Sequence, residues 1–499
     1  MSVTTPDGTM KLHRRQYVVG PKPFHSYPDW NCHQLDGTTW LSHCPSLRVQ
    51  LTTDRDGTGW ALLGLAIETT ASQPSPAEQI QQIGSDRIPD LYVSWAGRWV
   101  LLGAGQVHMD ASGLLGCLFG WSDSADLWAG SSPALLNQLL FGDSFPPPDR
   151  RELQYQVGIS WFTPPRTKLP GITRLLPSQV LNLHQQEVVA RPLMPVIQRD
   201  RSEDDAITEI STRLLTTVKR LASFQQPLWL GLTAGYDSRL MLALCSHASV
   251  DVSPFTRISA RTAVADRLLP PQLARDCGYA HTIMRHRQYS YDRAALAIKH
   301  SAGHVSPGDA DPFIYGIRDE MEGISFGGHG FAVASGFSNL RLLPTTVTDA
   351  MVGAEQIARL FQEPLSSSAA IGLQDWLDWV LKHPQEHLDW RDRFFIEQRQ
   401  AGWLAAKEQL YDLGRLERFP ILNSALNYSL LLSVPEPARL GSRIQEKIIH
   451  RIAPTLLQYP FNQKDSDIGL VKLLIATSRD APYYIFRKLQ YRLMKAVGA

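Results

Sequence analysis

The chain has 499 residues, 43% of them hydrophobic, so it is long enough for two to four domains with a sizeable core. Its 49 basic side chains are balanced by 48 acidic ones, which argues against nucleic acid as a partner and against a tRNA-modifying enzyme. No apolar run reaches the ~18 residues of a membrane span, so we expect no transmembrane helix.

The cysteines indicate a reducing compartment. The five of them are scattered and form no C-x-x-C pair, which is typical of free thiols in a cytoplasmic protein. The polar residues 1–11 lack the apolar core of a signal peptide, in agreement with a cytoplasmic location. The pairs Cys32-His33 and His43-Cys44 allow a zinc site, but we favour unrelated side chains in a β-rich region.

Residues up to about 145 alternate short apolar runs with turn residues, which predicts a layered structure made mostly of strands. The runs are 60–66, 91–95 and 98–102. Two further motifs lie among them, with generic hairpins as the alternative interpretation. They are 97–100 (GRWV) followed by 110–119 (DASGLLGCLF), and 129–133 (AGSSP).

A break at 145–149 (FPPPD) separates this region from the rest of the chain. Residues 169–183 then lead through a turn at Pro177 and Ser178 into a strand. Ser202 is expected to cap a helix, because apolar residues follow at helical spacing. These are Ile207, Ile210, Leu214, Val218 and Leu221. Strand and helix signals alternate after it, which predicts a doubly wound parallel sheet that binds ligands at the carboxyl ends of its strands.

Residues 231–239 (GLTAGYDSR) are the most informative stretch. An apolar run ends at Leu232 and a Leu-rich helix follows, so the loop joins a buried strand to a helix N-terminus, where backbone N–H groups attract anions. Asp237 is a hard oxygen ligand suited to Mg²⁺, and Thr233 and Ser238 offer hydroxyls to phosphate. No Gly-Lys-Ser/Thr follows, which excludes a Walker loop. We predict a pyrophosphate-binding loop, with a ligand-free glycine turn as the alternative.

The segment 233–238 (TAGYDS) resembles the Ser-Gly-Gly-x-Asp-Ser loop of N-type ATP pyrophosphatases, with Thr233 in place of the serine and Ala234 in place of the first glycine. The Asp-Ser-Arg ending and the Leu-rich helix are most similar to the asparagine-synthetase-like family. The motifs at 97–119 resemble the glutamine amidotransferase domain of that family, which has the N-terminal-nucleophile hydrolase fold.

The resemblance covers about residues 90–465 and implies two domains. Residues 1–195 would form a degenerate, β-rich amidotransferase-like domain, and residues 196–499 a ligase domain with a doubly wound parallel sheet and a helical C-terminal part. The family's glutaminase uses a cysteine as first residue of the mature chain, because the free α-amine serves as its base. Here Ser2 lies in a polar segment, so we expect a scaffold without glutaminase activity, with a serine nucleophile as the alternative.

The same resemblance implies ATP and Mg²⁺ as cofactors, with Asp237 as the metal ligand. Phe255 and Thr256 match a strand end that lines the adenine pocket. The residues implied to bind the nucleotide are Gly231, Leu232, Thr233, Ala234, Gly235, Asp237, Ser238, Phe255, Gly327 and Gly328.

The second phosphate-side loop of the family matches residues 324–333 (ISFGGHGFAV). His329 replaces a glutamate and is predicted to deprotonate an attacking amine, with a histidine bonded into a glycine turn as the alternative. Ala332 falls where the second Mg²⁺-binding aspartate belongs. The candidates to replace that aspartate are Asp309, Asp311, Asp319 and Glu320.

Near the C-terminus, residues 414–423 (GRLERFPILN) and 445–451 (QEKIIHR) resemble two further segments of the family. Lys447 thereby matches the lysine that stabilises charge on the phosphates, and Arg451 lies one turn later on the same helix face. An exposed basic helix is the alternative. A last helix over 483–497 is expected to pack on the protein, with a membrane surface or a partner as the alternative.

The function implied is that of an ATP-dependent ligase, which adenylates a small-molecule or peptide carboxylate and transfers the acyl group to an amine or ammonia. Natural-product or surface-polysaccharide biosynthesis is the expected setting, with free ammonia, ammonia from a partner protein of the pathway, or the substrate's own amine as nitrogen source. The alternatives are a lasso-peptide-type macrolactam cyclase and a non-catalytic nucleotide-binding or scaffold protein.

Overall fold

The computed structural model describes residues 12–142, 158–259, 262–285, 287–316, 321–345, 353–365 and 367–463. Several sequence-based predictions lie outside the described residues. These concern Ser2, the break at 145–149, Asp319, Glu320 and the helix at 483–497.

The N-terminal part of the chain is built from antiparallel strands, as its alternating pattern predicts. In chain order these are β1 (Tyr17–Gly20), β2 (Asn31–Gln34), β3 (Trp40–His43), β4 (Val49–Thr53), β5 (Gly59–Glu68), β6 (Trp95–Gly103), β7 (Gln106–Met109), β8 (Leu118–Trp121), β9 (Leu127–Gly130), β10 (Thr173–Arg174), β11 (Gln179–Asn182) and β12 (Glu187–Ala190). The described strands form two six-stranded sheets, ordered β10-β8-β9-β1-β3-β2 and β12-β11-β7-β6-β5-β4.

The two sheets pack face to face over a shared apolar core, which explains the layered β pattern of the sequence. Val19 and Leu41 from the first sheet meet Leu63 and Val100 from the second in one buried cluster. Three helices accompany the sheets: α1 (Pro76–Gln82), α2 (Ile88–Leu91) and α3 (Pro133–Phe141).

The strand predicted over 91–95 is wrong. Residues up to Leu91 belong to α2, Tyr92–Ser94 form a 3₁₀ turn, and β6 begins at Trp95. Pro89 occupies the first turn of α2, where its fixed φ favours a helix start. The apolar residues that follow pack against the protein from a helical turn and not from a strand. An apolar run without a clear period therefore did not distinguish the two structures.

The C-terminal part contains a parallel sheet of five described strands: β13 (Leu228–Gly231), β14 (Ser253–Ile258), β15 (Thr282–Arg285), β16 (Gly323–Gly327) and β17 (Leu416–Pro420). Their order is β15-β14-β13-β16-β17, and every pairing is parallel. The chain thus runs outward from β13 to β15, then returns to the other side of β13. This reversal creates a topological switch point between β13 and β16, which is where such sheets bind ligands.

Helices connect and flank these strands. They are α4 (Glu203–Ala222), α5 (Tyr236–His247), α6 (Val264–Asp276), α7 (Tyr291–Ser301), α8 (Pro307–Ile314), α9 (Ala332–Ser335), α10 (Ala354–Leu360), α11 (Ser368–Lys382), α12 (Trp390–Phe394), α13 (Ala405–Tyr411), α14 (Ala425–Ser433), α15 (Glu436–Leu440) and α16 (Arg443–Ile452). A π-helix, Phe395–Leu404, joins α12 to α13 without a break. Among the described helices, none has the length and hydrophobicity that crossing a bilayer requires.

Helix α4 confirms the prediction made from its spacing. Ser202 is its N-cap and accepts a hydrogen bond from the backbone N–H of Asp205 at 3.1 Å. The predicted apolar face is buried, and each of its large side chains contributes about 1.5–3 kcal/mol by leaving water. Helix α6 ends two residues before Gly278, whose φ of +80° is typical of a residue that terminates a helix.

Buried polar contacts join the β-rich part to the parallel-sheet part. Arg98 of β6 makes a two-pronged ion pair with Asp412, with both distances between 2.6 and 2.7 Å, and both side chains are buried. Asp110 accepts a hydrogen bond from Asn423 Nδ2 at 2.7 Å. Both Arg98 and Asp110 belong to the motifs that resemble an amidotransferase domain, and in this chain they hold the two parts together.

Candidate functional site

The loops that follow β13 and β16 meet at the switch point. Gly328, directly after β16, packs so tightly on the first turn of α5 that a Cβ built on it would lie 2.6 Å from Cβ of Asp237. A Cβ on Gly330 would lie 2.4 Å from Leu422, which follows β17. Only glycine fits at either place, so the glycines of the second loop allow it to approach the first.

The first loop is organised by its own hydroxyls. Ser238 Oγ accepts a hydrogen bond from the backbone N–H of Thr233 at 3.0 Å and lies 2.8 Å from Thr233 Oγ1. Thr233 Oγ1 also accepts from the N–H of Gly235 at 3.2 Å. The hydroxyls of Thr233 and Ser238, which were predicted to contact phosphate, thus form hydrogen bonds within the loop. These bonds connect residue 233 to residue 238.

Neighbouring elements hold the backbones of Leu232 and Ala234, and the nucleotide-binding role predicted for these two residues stays a prediction. The N–H of Leu232 donates to the carbonyl of Phe255 at 2.8 Å, and its own carbonyl accepts from Thr256 Oγ1 at 2.7 Å. The N–H of Ala234 donates to the Asp266 carboxylate at 2.7 Å, and the Ala234 methyl is buried. These backbone groups already form hydrogen bonds with neighbouring elements, and the bonds hold the loop in place.

Phe255 lies beneath the end of β13. Its ring is buried, packs edge-on against Trp229, and would lie 3.8 Å from a Cβ on Gly231. The ring therefore forms part of the apolar floor below the first loop. Its predicted contact with adenine stays a prediction.

The N-terminus of α5 is the part of the site that fits a phosphate best. Its N-cap is Gly235, and within the described chain no side chain caps the helix. The N–H groups of its first turn and its dipole thus remain directed at the space above the loop. A polyphosphate bound there would satisfy both, since anions bind at helix N-termini for these two reasons.

Asp237 stands in this first turn and is half-buried. Burial raises the pKa of its carboxyl, and a hydrogen bond from Gln445 Nε2 at 2.8 Å partly offsets that rise. Among the described residues, no group of three or more His, Cys, Asp or Glu side chains is arranged to hold a metal ion. Asp237 therefore fits Mg²⁺ only as a single protein ligand, in the manner of ions that take most of their oxygens from phosphates and water.

Sequence reasoning missed Gln445 and chose its neighbour Lys447. The two are two positions apart on α16, about 200° around the helix, so they point in opposite directions. Lys447 Nζ pairs with Glu203 at 2.9 Å and Asp204 at 3.0 Å on α4, and Arg451 pairs with Asp204 at 3.1 Å. Both side chains pair with α4 in this structure, and their predicted catalytic role stays a prediction. Gln445 lies on the buried face of α16. The helical spacing of that face could have identified Gln445 from the sequence.

His329 follows Gly328 in the second loop, and its side chain is exposed. Its charge helps to lower the pKa of the buried Glu408, although burial alone raises that pKa. The ion pair between Glu408 and Arg418 at 3.0 Å has the larger effect and holds the pKa of Glu408 at about 2. The structure thus brings the predicted base next to the first loop and close to a fixed negative charge.

Two of the predicted replacements for the missing aspartate, Asp309 and Asp311, lie within the described residues. Ala332 begins the short helix α9. The Asp309 carboxylate accepts hydrogen bonds from Lys407 at 3.1 Å and from Trp403 Nε1 at 2.8 Å. These partners use the Asp309 oxygens elsewhere, and Asp311 also lies on α8.

A segment after α16 covers one side of the first loop. Tyr236 stacks on Phe461 with ring centroids 3.7 Å apart, and Asn462 lies 3.2 Å from a Cβ built on Gly235. Buried Arg239 fastens this segment, with its guanidinium 3.7 Å from the Phe461 ring. Arg239 donates to the carbonyls of Ala234, Leu456, Tyr459 and Pro460.

The two Cys/His pairs lie side by side on β2 and β3. His33 and His43 stack with ring centroids 5.4 Å apart, and His43 Nδ1 lies 3.0 Å from the carbonyl of Cys44. Cys32 Sγ lies 3.3 Å from Ser42 Oγ. The Nε2 atoms of His33 and His43 also lie 3.3 Å apart, and the two interpretations, a zinc site and unrelated side chains, both stay predictions.

In comparison with known proteins, no protein-family model matches the chain, and no curated protein sequence matches it significantly.

Proposed function

We propose that the chain is an ATP-dependent, amide-forming ligase of the asparagine-synthetase-like type. In the first step a carboxylate oxygen of the substrate attacks the α-phosphorus of ATP, and pyrophosphate leaves. In the second step an amine attacks the acyl carbon and AMP leaves, which yields the amide. Such a reaction depends mostly on positioning the reactants and stabilising charge.

The observation that carries this proposal is the position of residues 232–238. They follow the central strand at the switch point of a parallel sheet, and they lead into a helix whose N-terminus no described side chain caps. Asp237 supplies a carboxylate in the first turn of that helix. Polyphosphate with a bound divalent cation is the ligand class that matches a positive helix end beside one carboxylate.

The second loop supports the amine step. His329 is exposed and follows Gly328, which contacts Asp237, so a base stands beside the phosphate-binding turn. Arg98 and Asp110 are buried in contacts with the parallel-sheet part, which supports a β-rich part without glutaminase activity. The amine then comes from free ammonia, from a partner or from the substrate itself.

Calorimetric titration with ATP tests the nucleotide site. We expect wild-type protein to bind ATP with Mg²⁺ and to bind it more weakly with EDTA. Asp237→Asn should abolish the difference, because the amide oxygen still accepts from Gln445 but carries no charge. Asp251→Asn is the matched control, since exposed Asp251 precedes β14 at the opposite edge of the sheet.

A coupled pyrophosphate assay with a panel of carboxylates, followed by hydroxylamine, tests the chemistry. An acyl-adenylate gives a hydroxamate with hydroxylamine, so hydroxamate formation supports a ligase. Loss of one water from a linear peptide would favour the lasso-type cyclase. Absence of ATP binding at millimolar concentration would overturn the nucleotide site for this chain.

A nucleotide-binding scaffold is the second candidate, because Asp237 is hydrogen-bonded to Gln445 and has no metal-binding group around it among the described residues. It predicts ATP binding without pyrophosphate release for any carboxylate. The same two assays therefore separate the candidates.

A further inference from the structure

Arg399 lacks the ion pair that three buried arginines of the described chain make. Arg98, Arg393 and Arg418 each make an ion pair with a buried carboxylate. Arg399 is half-buried, but within the described chain its guanidinium has no hydrogen bond and no ion pair, only two aromatic rings. A partly desolvated charge without an ion pair of its own is costly, so this side chain gains from binding an anion.

Two indoles hold the guanidinium in place. Its carbon lies 3.7 Å from the ring centroid of Trp403 and 5.2 Å from that of Trp161. Stacking covers the face of a guanidinium and leaves its N–H edges for a planar, two-oxygen acceptor. Burial lowers the pKa of Arg399 to about 10, so it stays charged at neutral pH.

The surroundings of the two indoles are rigid. Trp403 Nε1 donates to Asp309 at 2.8 Å, and Lys407 Nζ pairs with the same carboxylate at 3.1 Å. Trp161 packs so closely on the π-helix that a Cβ on Gly402 would lie 2.6 Å from its ring. Asp309 lies close enough to Arg399 to raise the pKa of that guanidinium, but the same carboxylate also pairs with Lys407. One carboxylate thus stands against two cations, and one positive charge is not neutralised. The π-helix that carries Arg399 is a rare form that is common at functional sites.

We infer that Arg399, held between Trp161 and Trp403, binds a carboxylate of a ligand. The carboxylate accepts two parallel N–H bonds from the guanidinium edge, the strongest arrangement for such a pair. The inference rests on the proposed function in one respect only, namely that this ligand is the ligase substrate.

Benzoate and its neutral isostere benzamide are suitable probes, titrated by calorimetry against wild type, Arg399→Gln and Arg359→Gln. Arg359 is the matched control because it is exposed and paired with Glu355. We expect saturable benzoate binding to wild type and to Arg359→Gln, about tenfold weaker binding to Arg399→Gln, and weaker binding of benzamide throughout. Equal benzoate affinity in wild type and Arg399→Gln, or absence of saturable benzoate binding to wild type, would overturn the inference.

ATP titration of the same proteins keeps the two proposals apart. Arg399→Gln should bind ATP like wild type, which also shows that the variant is folded. If Arg399→Gln does not fold, Arg399→Lys replaces it and should weaken benzoate binding through loss of the two-pronged contact. Benzoate binding in a protein that fails to bind ATP would leave the Arg399 site standing and remove its role as a substrate site.

Discussion

Gln445 donates a 2.8 Å hydrogen bond to the carboxylate of Asp237, which ties α16 to the first turn of α5. The two residues are far apart in the sequence, and the contact places a neutral amide beside the one carboxylate proposed to bind a cation. A second carboxylate in place of the amide would stand where a second metal ligand is needed.

Gln445→Glu is therefore expected to create a two-carboxylate site. Without metal, the two like charges should destabilise the protein, because each raises the pKa of the other and part of the charge remains at neutral pH. Mg²⁺ should restore the melting temperature of the variant more than it raises that of wild type. Thermal unfolding with and without Mg²⁺ measures this, with Gln445→Leu as the control. Equal Mg²⁺ effects in all three proteins would contradict the geometry.

Lys447→Ala should leave ATP affinity unchanged, since Lys447 pairs with Glu203 and Asp204 on α4. Asp237→Asn provides the comparison, because it removes the charge that is proposed to hold the metal ion while it can still accept the hydrogen bond from Gln445. We expect only Asp237→Asn to weaken ATP binding in the same calorimetric titration, and a loss caused by Lys447→Ala would instead support the catalytic role predicted for Lys447.

Arg98→Met should destabilise the whole chain, because it leaves the buried carboxylate of Asp412 without its ion-pair partner. Breaking one side of a buried pair costs about 3–5 kcal/mol. Urea unfolding is the measurement, and Arg87→Met is the control because the Arg87–Asp90 pair is exposed. Replacement of both partners, Arg98→Met with Asp412→Leu, should recover part of the loss. A wild-type unfolding midpoint for Arg98→Met would contradict the interface described here.

Acid should destabilise the protein from about pH 6.5 downward. Burial lowers the pKa of His108 to about 3, of His300 to about 4 and of His304 to about 3. Below pH 6.5 these imidazoles bind protons in the unfolded chain but stay neutral in the folded protein. The free energy of unfolding therefore falls as the pH is lowered, until the pH reaches the pKa values of the folded protein. Each such histidine contributes a slope of up to about 1.4 kcal/mol per pH unit.

Melting temperatures between pH 7.5 and 5 measure this slope. His108→Gln should reduce it, whereas His247→Gln, at an exposed position, should leave it unchanged. A pH-independent melting temperature across this range would show that these histidines are accessible to protons in the folded state.

Local patterns in the sequence were sufficient for several elements. The helical spacing after Ser202 predicted the buried face of α4, and residues 228–240 predicted a strand, a tight loop and a helix. These predictions succeeded because periodicity and capping are properties of neighbouring residues. The prediction over 91–95 failed where an apolar run lacked a clear period.

The tertiary structure alone decided which side chains meet at the switch point. Sequence reasoning placed Lys447 at the loop, but the packing of α16 turns Gln445 towards Asp237 and Lys447 towards α4. Tertiary packing likewise brings Trp161 to Arg399, whereas Trp403 is only four residues away from Arg399 on the same helix. The loop itself follows from adjacent residues, but the contacts of Gln445 with Asp237 and of Trp161 with Arg399 depend on how distant segments pack, which no local pattern encodes.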